Sequence, residues 1–429
     1  MNVADFWRAN SVHRAAYVDP EVFALEQERI FRRAWLYVGH ESEVPQPGDY
    51  VLRRLGPDEV LLVRGEDRSL ALLHNRCAHR GARIVAQPAG NARQFRCPYH
   101  SWTYALDGRL VGMPLPEGYA EKVELGLARV ARVESYRGFV FGSHAAQGPG
   151  LAEFLGGLAS AFDNMLDRAP AGTVSRFGGE LRLEYRGNWK MFMENAVDLV
   201  HPNFVHRSSI EGARQALGAA RSQPADPLTE QGAQMFLANG MRAPEWDKVP
   251  LHAYPGGHVY MGGFYRSGVI APERADPVYE RYRAQLVERH GAEKAAAVLA
   301  VDRFNNLVWP TVSVNSRFAA LRVVQPLAAD RTMVEVQCFR LEGADAAMHD
   351  LTLQFVNLAA SPASLVASDD LEIFERCQRG LQSAASDWID VRRGALADRR
   401  QPDASTLGSG TSELAIRHQF ATWLQYMTR

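Results

Sequence analysis

Apolar positions along the chain fall into three textures. Residues 1–35 carry Phe23, Leu25, Ile30, Phe31 and Trp35 among charges, a pattern that predicts helix. From about 36 to 145 the texture changes to short apolar runs, VLLV at 60–63, LALL at 70–73 and GFVFG at 138–142. These alternate with Gly, Pro and Asp turns and predict a small antiparallel β domain. SHAAQGPG at 143–150 reads as a linker. Beyond it helices and strands mix. Leu151, Phe154, Leu155, Leu158, Phe162 and Leu166 predict a helix over 151–166, and 181–187 reads as a strand. A helix is expected over 277–301, two strands over 317–341 around a turn at Ala328–Arg331, and helices over 363–382 and 411–428. The stretch 211–250 is polar and rich in Ala, Gln and Pro, and predicts a long loop with short helix.

The chain has 429 residues, which suggests two or three domains. Lys plus Arg is 48 against 49 for Asp plus Glu, giving a net charge of −1, so a nucleic-acid partner is not expected. No run approaches the roughly 20 apolar residues of a membrane helix, so no membrane partner is expected either. The opening MNVADFWRANSVHR lacks the apolar core of a secretory signal, and four cysteines are too few for a disulfide scaffold. The expected compartment is a reducing cytoplasm, where paired Cys and His more often mean metal than crosslinks. Cys338 and Cys377 read as buried thiols. No Gly-rich phosphate loop is present, so the chain is not expected to carry a nicotinamide or flavin of its own.

Two constellations carry chemistry. In the first, Cys77-Ala-His79 is followed by Cys97-Pro-Tyr-His100. Structural zinc commonly pairs cysteine with cysteine and histidine with histidine. Here each half holds one of each, the split that a Rieske [2Fe–2S] centre needs, with two thiolates on one iron and two imidazoles on the other. Gly81 and Pro98 suit the tight loops this requires. A zinc knuckle is the alternative. The second constellation is Glu194-Asn195-Ala-Val-Asp198-Leu-Val-His201-Pro-Asn-Phe-Val-His206. Two imidazoles and one carboxylate on a facial triad suit non-haem Fe(II). His201 and His206 are about 140° apart on an ideal helix and would not converge, so the chain is expected to bend at Pro202.

The segments NRCAHRGARI and FRCPYHSWTYALDGRLVG resemble the Rieske domain of the large (alpha) subunits of aromatic-ring-hydroxylating oxygenases. Glu194 to His206 matches the same family's E-N-x-x-D-x-x-H-x4-H pattern, and the similarity extends through TSELAIRHQFATWLQYM at the end. The resemblance implies an α+β protein. An antiparallel β Rieske domain (36–150) would be inserted in a catalytic domain of helix-grip type, made of 1–35 and 151–429 with an antiparallel sheet flanked by helices. It implies cluster ligands Cys77, His79, Cys97 and His100, and a mononuclear iron held by His201, His206 and Asp370. Asn195 would lie beside the iron. Asp198 would link His100 of one subunit to His201 of the next. The implied reaction joins an aromatic substrate, O2 and electrons from a separate NAD(P)H-dependent reductase, with or without a ferredoxin, to give a cis-dihydrodiol or a phenol. The implied assembly is a homotrimer of this chain, with a small beta subunit. The closing segments are most similar to the benzoate, anthranilate and salicylate branch, so the expected substrate is an aromatic carboxylate, with Arg322 and Arg207 as candidate partners. A hydrocarbon or phenolic substrate is the alternative. One departure stands out: many members carry an aromatic residue before the first iron histidine, where this chain has Val200.

Overall fold

The computed structural model describes residues 2–8, 10–119, 125–219, 232–233, 236–264, 277–303, 305–364 and 366–429. The chain divides into two compact units. Gln27–Phe154 forms one, and Met1–Glu26 together with Leu155–Arg429 forms the other. The β unit thus interrupts the larger unit, starting nine residues earlier than the position 36 read from the sequence. Residues 27–35 belong to it because their large side chains are built into it. Phe31 is buried against Gly56, and Trp35 Nε1 donates to Pro149 O at 2.9 Å beneath the Arg132 guanidinium.

Among the described residues the β unit contains three antiparallel sheets. The largest orders its strands Leu70–His74, Asp58–Arg64, Asp49–Leu55 and Ala89–Asn91. A second pairs Leu110–Gly112, Thr103–Tyr104 and Phe95–Arg96, and a third pairs Arg132–Tyr136, Phe139–Ser143 and Leu36–His40. Leu61, Val63, Leu73, Phe95, Trp102 and Tyr104 close a core that also takes in Cys77 and Cys97. The expected linker at 143–150 instead packs within this unit, with Arg132 donating to Ala145 O and Pro149 O.

The larger unit is built on one nine-stranded antiparallel sheet. Its spatial order is Val174–Tyr185, Arg331–Leu341, Ala320–Ala328, Val312–Asn315, Asn306–Val308, His258–Met261, Pro250–Tyr254, Thr406–Ser409 and Arg399–Arg400. The hairpin at 317–341 falls where the sequence places it. The strand read at 181–187 starts earlier, at Val174, because a bulge at Gly178–Gly179 lets the pairing with Cys338 continue past it. The helix read at 277–301 is two, Pro277–His290 and Ala292–Leu299, broken at Gly291 with φ of 79°. Arg207–Ala219 and Ala243–Trp246 are helical within the polar stretch; 220–231, 234 and 235 lie outside the described residues. Among the described residues no helix is long and apolar enough to cross a membrane.

The N-terminal segment acts as a latch on the helices Trp189–Asn195 and Ala367–Leu381. Tyr17 O accepts from Asn188 Nδ2 at 3.0 Å and from Gln378 Nε2 at 3.2 Å, while Gln378 Oε1 accepts from Asn188 N at 3.0 Å. Below it, Glu26 is fully buried and binds Lys190 Nζ at 2.6 Å, Trp189 Nε1 at 2.8 Å and Trp423 Nε1 at 2.6 Å. A buried charge is tolerated when it is paired and fully hydrogen-bonded, as this carboxylate is.

Candidate functional site

The two Cys-His halves of the β unit form loops of the same design. In each, the cysteine carbonyl accepts from the backbone N–H four residues on, Gly81 N and Ser101 N, both at 3.0 Å. In each, the cysteine N–H donates to the carbonyl five residues on, Ala82 O and Trp102 O, both at 2.8 Å. The closing residues Gly81 and Ser101 have φ of 74° and 59°. The first is marked by its glycine. Serine rarely takes this conformation, so its role in the second loop was not legible. Tyr104 is buried, and its hydroxyl lies 3.1 Å from Cys77 Sγ. Burial works against ionisation of the Cys77 thiol, but hydrogen bonds from Tyr104, the backbone and Cys97 outweigh it and hold the thiol below its ordinary range. A thiolate is the form that ligates metal. His79 stacks on Trp102 at 4.8 Å and meets the His100 ring at 4.6 Å.

Groups whose ligand atoms lie within 4.8 Å of one another, close enough for one ion, exist among the described residues, and these four are not such a group. Two short loops presenting thiolate and imidazole side by side fit a two-iron cluster, and the buried, unbonded His79 Nδ1 is a donor atom such a cluster would use. The imidazole end is the exposed one. Tyr99, which is 55% exposed, lies against His100, and Arg80 sits over its ring.

In the larger unit His201, His206 and Asp370 do form a single-ion group. Asp370 Oδ1 lies 3.6 Å from His201 Nε2 and 3.4 Å from His206 Nε2. The two histidines converge by a different route from the expected bend at Pro202. The helix Trp189–Asn195 ends first. Pro202 then opens a single turn, Pro202–Val205, in which proline needs no N–H partner, with His201 and His206 flanking it. Asp198 stands outside any helix, accepting from Val200 N at 2.7 Å, with Oδ2 3.9 Å from His201 Nδ1. On the other histidine, His206 Nδ1 faces Asp369 Oδ2 at 3.6 Å. The Nδ1 atoms of both histidines and Asp369 Oδ2 are buried without a hydrogen bond, so each imidazole has its inner nitrogen toward Asp370 and its outer nitrogen toward a second carboxylate. That is the donor set and outer shell a mononuclear Fe(II) site requires.

Asn195 Nδ2 lies 3.1 Å from both His201 Nε2 and Asp370 Oδ1. Burial raises the Asp370 carboxyl to about 7, against the pull of Asn195 and Arg322, and burial lowers His201 to about 4. Arg322 Nη2 donates to Ser313 Oγ at 2.8 Å and to Asn305 Oδ1, and the guanidinium lies 5.2 Å from the Phe192 ring centre. Burial depresses Arg322 to about 10. Arg207 is exposed on its helix. His252 stacks on Tyr260 at 4.5 Å, and His258 Nδ1 accepts from Trp309 N. Cys338 is buried as expected. Cys377 is exposed, because Phe374 and Gln378 take the inward stripe of its helix. Glu194 was not singled out for its own chemistry; it is half-buried, accepts from Tyr17 OH at 2.8 Å, and desolvation raises it to about 7. A cavity of about 590 Å3 is lined by Ser209, Ala213, Ala216, Phe236, Leu353 and Leu358 among others, and not by His201, His206, Asp370 or Arg322.

A cluster cradle on one unit and a two-histidine, one-carboxylate centre on the other describe an oxygenase that draws its electrons through an iron–sulfur relay. Residues 34–136 match the Rieske [2Fe-2S] domain, and 175–429 match the catalytic domain of the ring-hydroxylating alpha subunit. The chain belongs to the ring-hydroxylating oxygenase alpha subunits, oxidoreductases that carry a Rieske cluster and a mononuclear iron. It is 32% identical to the anthranilate 1,2-dioxygenase large subunit of Acinetobacter baylyi, over 91% of this chain and 82% of that one. It is 41% identical to the biphenyl dioxygenase subunit alpha of Metapseudomonas furukawaii, over 96% and 90%. Naphthalene 1,2-dioxygenase with phenanthrene bound superposes with a TM-score of 0.82 at 26% identity, covering 100% of this chain and 96% of that one. The relatives' designations as large or alpha subunits make them components of larger assemblies.

Proposed function

We propose that the chain hydroxylates the ring of an aromatic carboxylate, with electrons from an NAD(P)H-dependent reductase, directly or through a ferredoxin, in the cytoplasm. The observation that carries the substrate class is Arg322. Its side chain is half-buried in the catalytic unit, the guanidinium is within electrostatic reach of Asp370, and only Nη2 is hydrogen-bonded among the described residues. A guanidinium with unused donors offers a carboxylate a paired, charge-assisted contact. Anthranilate, the substrate named for one relative, is such a carboxylate. Arg207, exposed, does not support this role.

When bound, the cluster and Fe(II) supply electron relay and O2 activation. The chain's own residues then have distinct tasks. Asp370, His201 and His206 would hold the ion, and Asp198 stands behind the outer nitrogen of His201, its Oδ2 3.9 Å from Nδ1. Asn195 donates into the open side of the centre, and Arg322 fixes the carboxylate end of the substrate so that the ring faces the metal. Replacing His201, His206 or Asp370 with Ala is expected to abolish product while the Rieske visible spectrum persists.

A hydrocarbon substrate is the second reading, favoured by the 41% identical biphenyl relative. The two are separated by Arg322→Met assayed on benzoate, anthranilate and biphenyl. The carboxylate reading requires KM for the acids to rise at least tenfold while any biphenyl turnover is kept. An unchanged KM for the acids overturns it.

The assembly we infer is a head-to-tail trimer with a small beta subunit, in which His100 meets Asp198 across the interface. Each metal centre has an exposed aromatic beside its ligands, Tyr99 next to His100 and Phe204, 73% exposed, between His201 and His206. Exposed aromatics of this kind mark contact surfaces. Asp198→Asn is expected to keep both metals but fail to give product in a single turnover of pre-reduced enzyme. Product at the wild-type rate would remove Asp198 from the electron route.

A further inference from the structure

The β unit holds a second convergence of two imidazoles and a carboxylate, sharing no residue with the cluster loops. Asp58 opens the strand Asp58–Arg64, His74 closes Leu70–His74, and His144 follows Phe139–Ser143. One ring nitrogen of each histidine and one carboxylate oxygen of Asp58 lie within 4.8 Å of one another. The rings are 5.3 Å apart at 36°. His144 Nε2 is 3.4 Å from Asp58 Oδ2 and 3.3 Å from Leu55 O.

Burial holds both imidazoles below their ordinary range, with each other and the Arg32 cation further lowering His74 against the pull of Asp58. A neutral imidazole is the form that ligates a metal, and the lowered range favours it. Among the described residues the His74 ring nitrogens make no hydrogen bond; its ring contact is His144. Two neutral imidazoles and a carboxylate oxygen form a donor set that borderline divalent ions select.

The charged neighbours are Arg32, Arg76 and Glu28. Arg32 Nη1 sits 2.9 Å from Asp58 Oδ2 and is the competitor for that oxygen. It has an alternative in Glu28, 3.3 Å from its Nε, so the carboxylate can be yielded without stranding the guanidinium.

We propose that His74, His144 and Asp58 form a zinc site on the β unit, with Arg32 as its built-in competitor. The ion would tie together three strand ends that sequence order leaves apart. One of them, His74, stands three residues before Cys77, and the next residue, Asn75, accepts from Ile84 N and Val85 N just past the first cluster loop. The ion thus clamps the root of that loop.

The test is calorimetric titration of zinc chloride into the iron-loaded full-length protein and its His74→Ala, His144→Ala and Arg32→Gln variants. The Rieske visible spectrum is recorded for each as the check on folding. The wild type is expected to bind one zinc equivalent more than either histidine variant. Arg32→Gln is expected to bind that equivalent about tenfold more tightly, because a like charge beside the ion is gone. Equal zinc stoichiometry in the wild type and in whichever histidine variant retains the cluster spectrum overturns the site. Unchanged or weaker binding in Arg32→Gln overturns the role of Asp58 as a ligand.

Discussion

Two adjacent carboxylates on one helical turn face different atoms. Asp370 approaches the inner nitrogens of both histidines, whereas Asp369 stands behind the outer nitrogen of His206. A carboxylate on the outer nitrogen fixes the tautomer and raises the basicity of a ligand, and losing one typically costs 10–100-fold in metal affinity. Asp369→Ala is therefore expected to weaken Fe(II) binding by about 10–100-fold with the cluster intact, whereas Asp370→Ala should bind no mononuclear iron. Equilibrium dialysis against ferrous ion reads both. The metal-free Asp370 carboxyl, raised to about 7, also sets a pH law. Below that pH the ion must expel a proton from Asp370, so affinity falls as pH drops. Above it the carboxylate is already ionised and the dependence flattens. The types of these residues were legible in the sequence. The resemblance named Asp370 as the ligand, but the place of Asp369 behind His206 was not legible, since it depends on how the helix is rotated about its axis.

At the level of elements, the helix Trp189–Asn195 rests on buried charge. Glu26 is the anion that lets Lys190 remain buried, and breaking such a pair by removing one partner typically costs 3–5 kcal/mol. Glu26→Ala is expected to destabilise the catalytic unit by about that amount, measured by urea unfolding. Glu194 acts in the opposite sense. Its folded value near 7 lies above the ordinary 4.5, so the native state holds a proton that the unfolded chain releases. Its contribution is intact below about 4.5 and is lost as pH rises toward 7. Glu194→Gln should flatten that decline, and an identical pH profile in the variant would contradict the assignment. Periodicity located the strands at 317–341 and the final helix because one face of each is continuously apolar. It missed the break at Gly291 because the apolar stripe runs on past the glycine, and the left-handed turn at Ser101 in the second cluster loop was missed because serine carries no signal for positive φ. It could not show Glu26 and Trp423 as partners, since their contact is set by tertiary packing and spans 397 positions.

For the molecule as a whole, the interrupted arrangement has a consequence in time. Ribosomes deliver about 5–20 residues per second. The β unit, Gln27–Phe154, is a continuous stretch and can close as soon as it emerges. The larger unit cannot. Glu26 must wait for Trp423, 397 positions later, and at that pace the delay is about 20–80 s. A nascent chain therefore carries a finished cradle for the iron–sulfur cluster while its catalytic half is still unassembled, with a carboxylate destined for burial still in water. The connectivity of the chain thus completes the residues of the cluster cradle before those of the iron site.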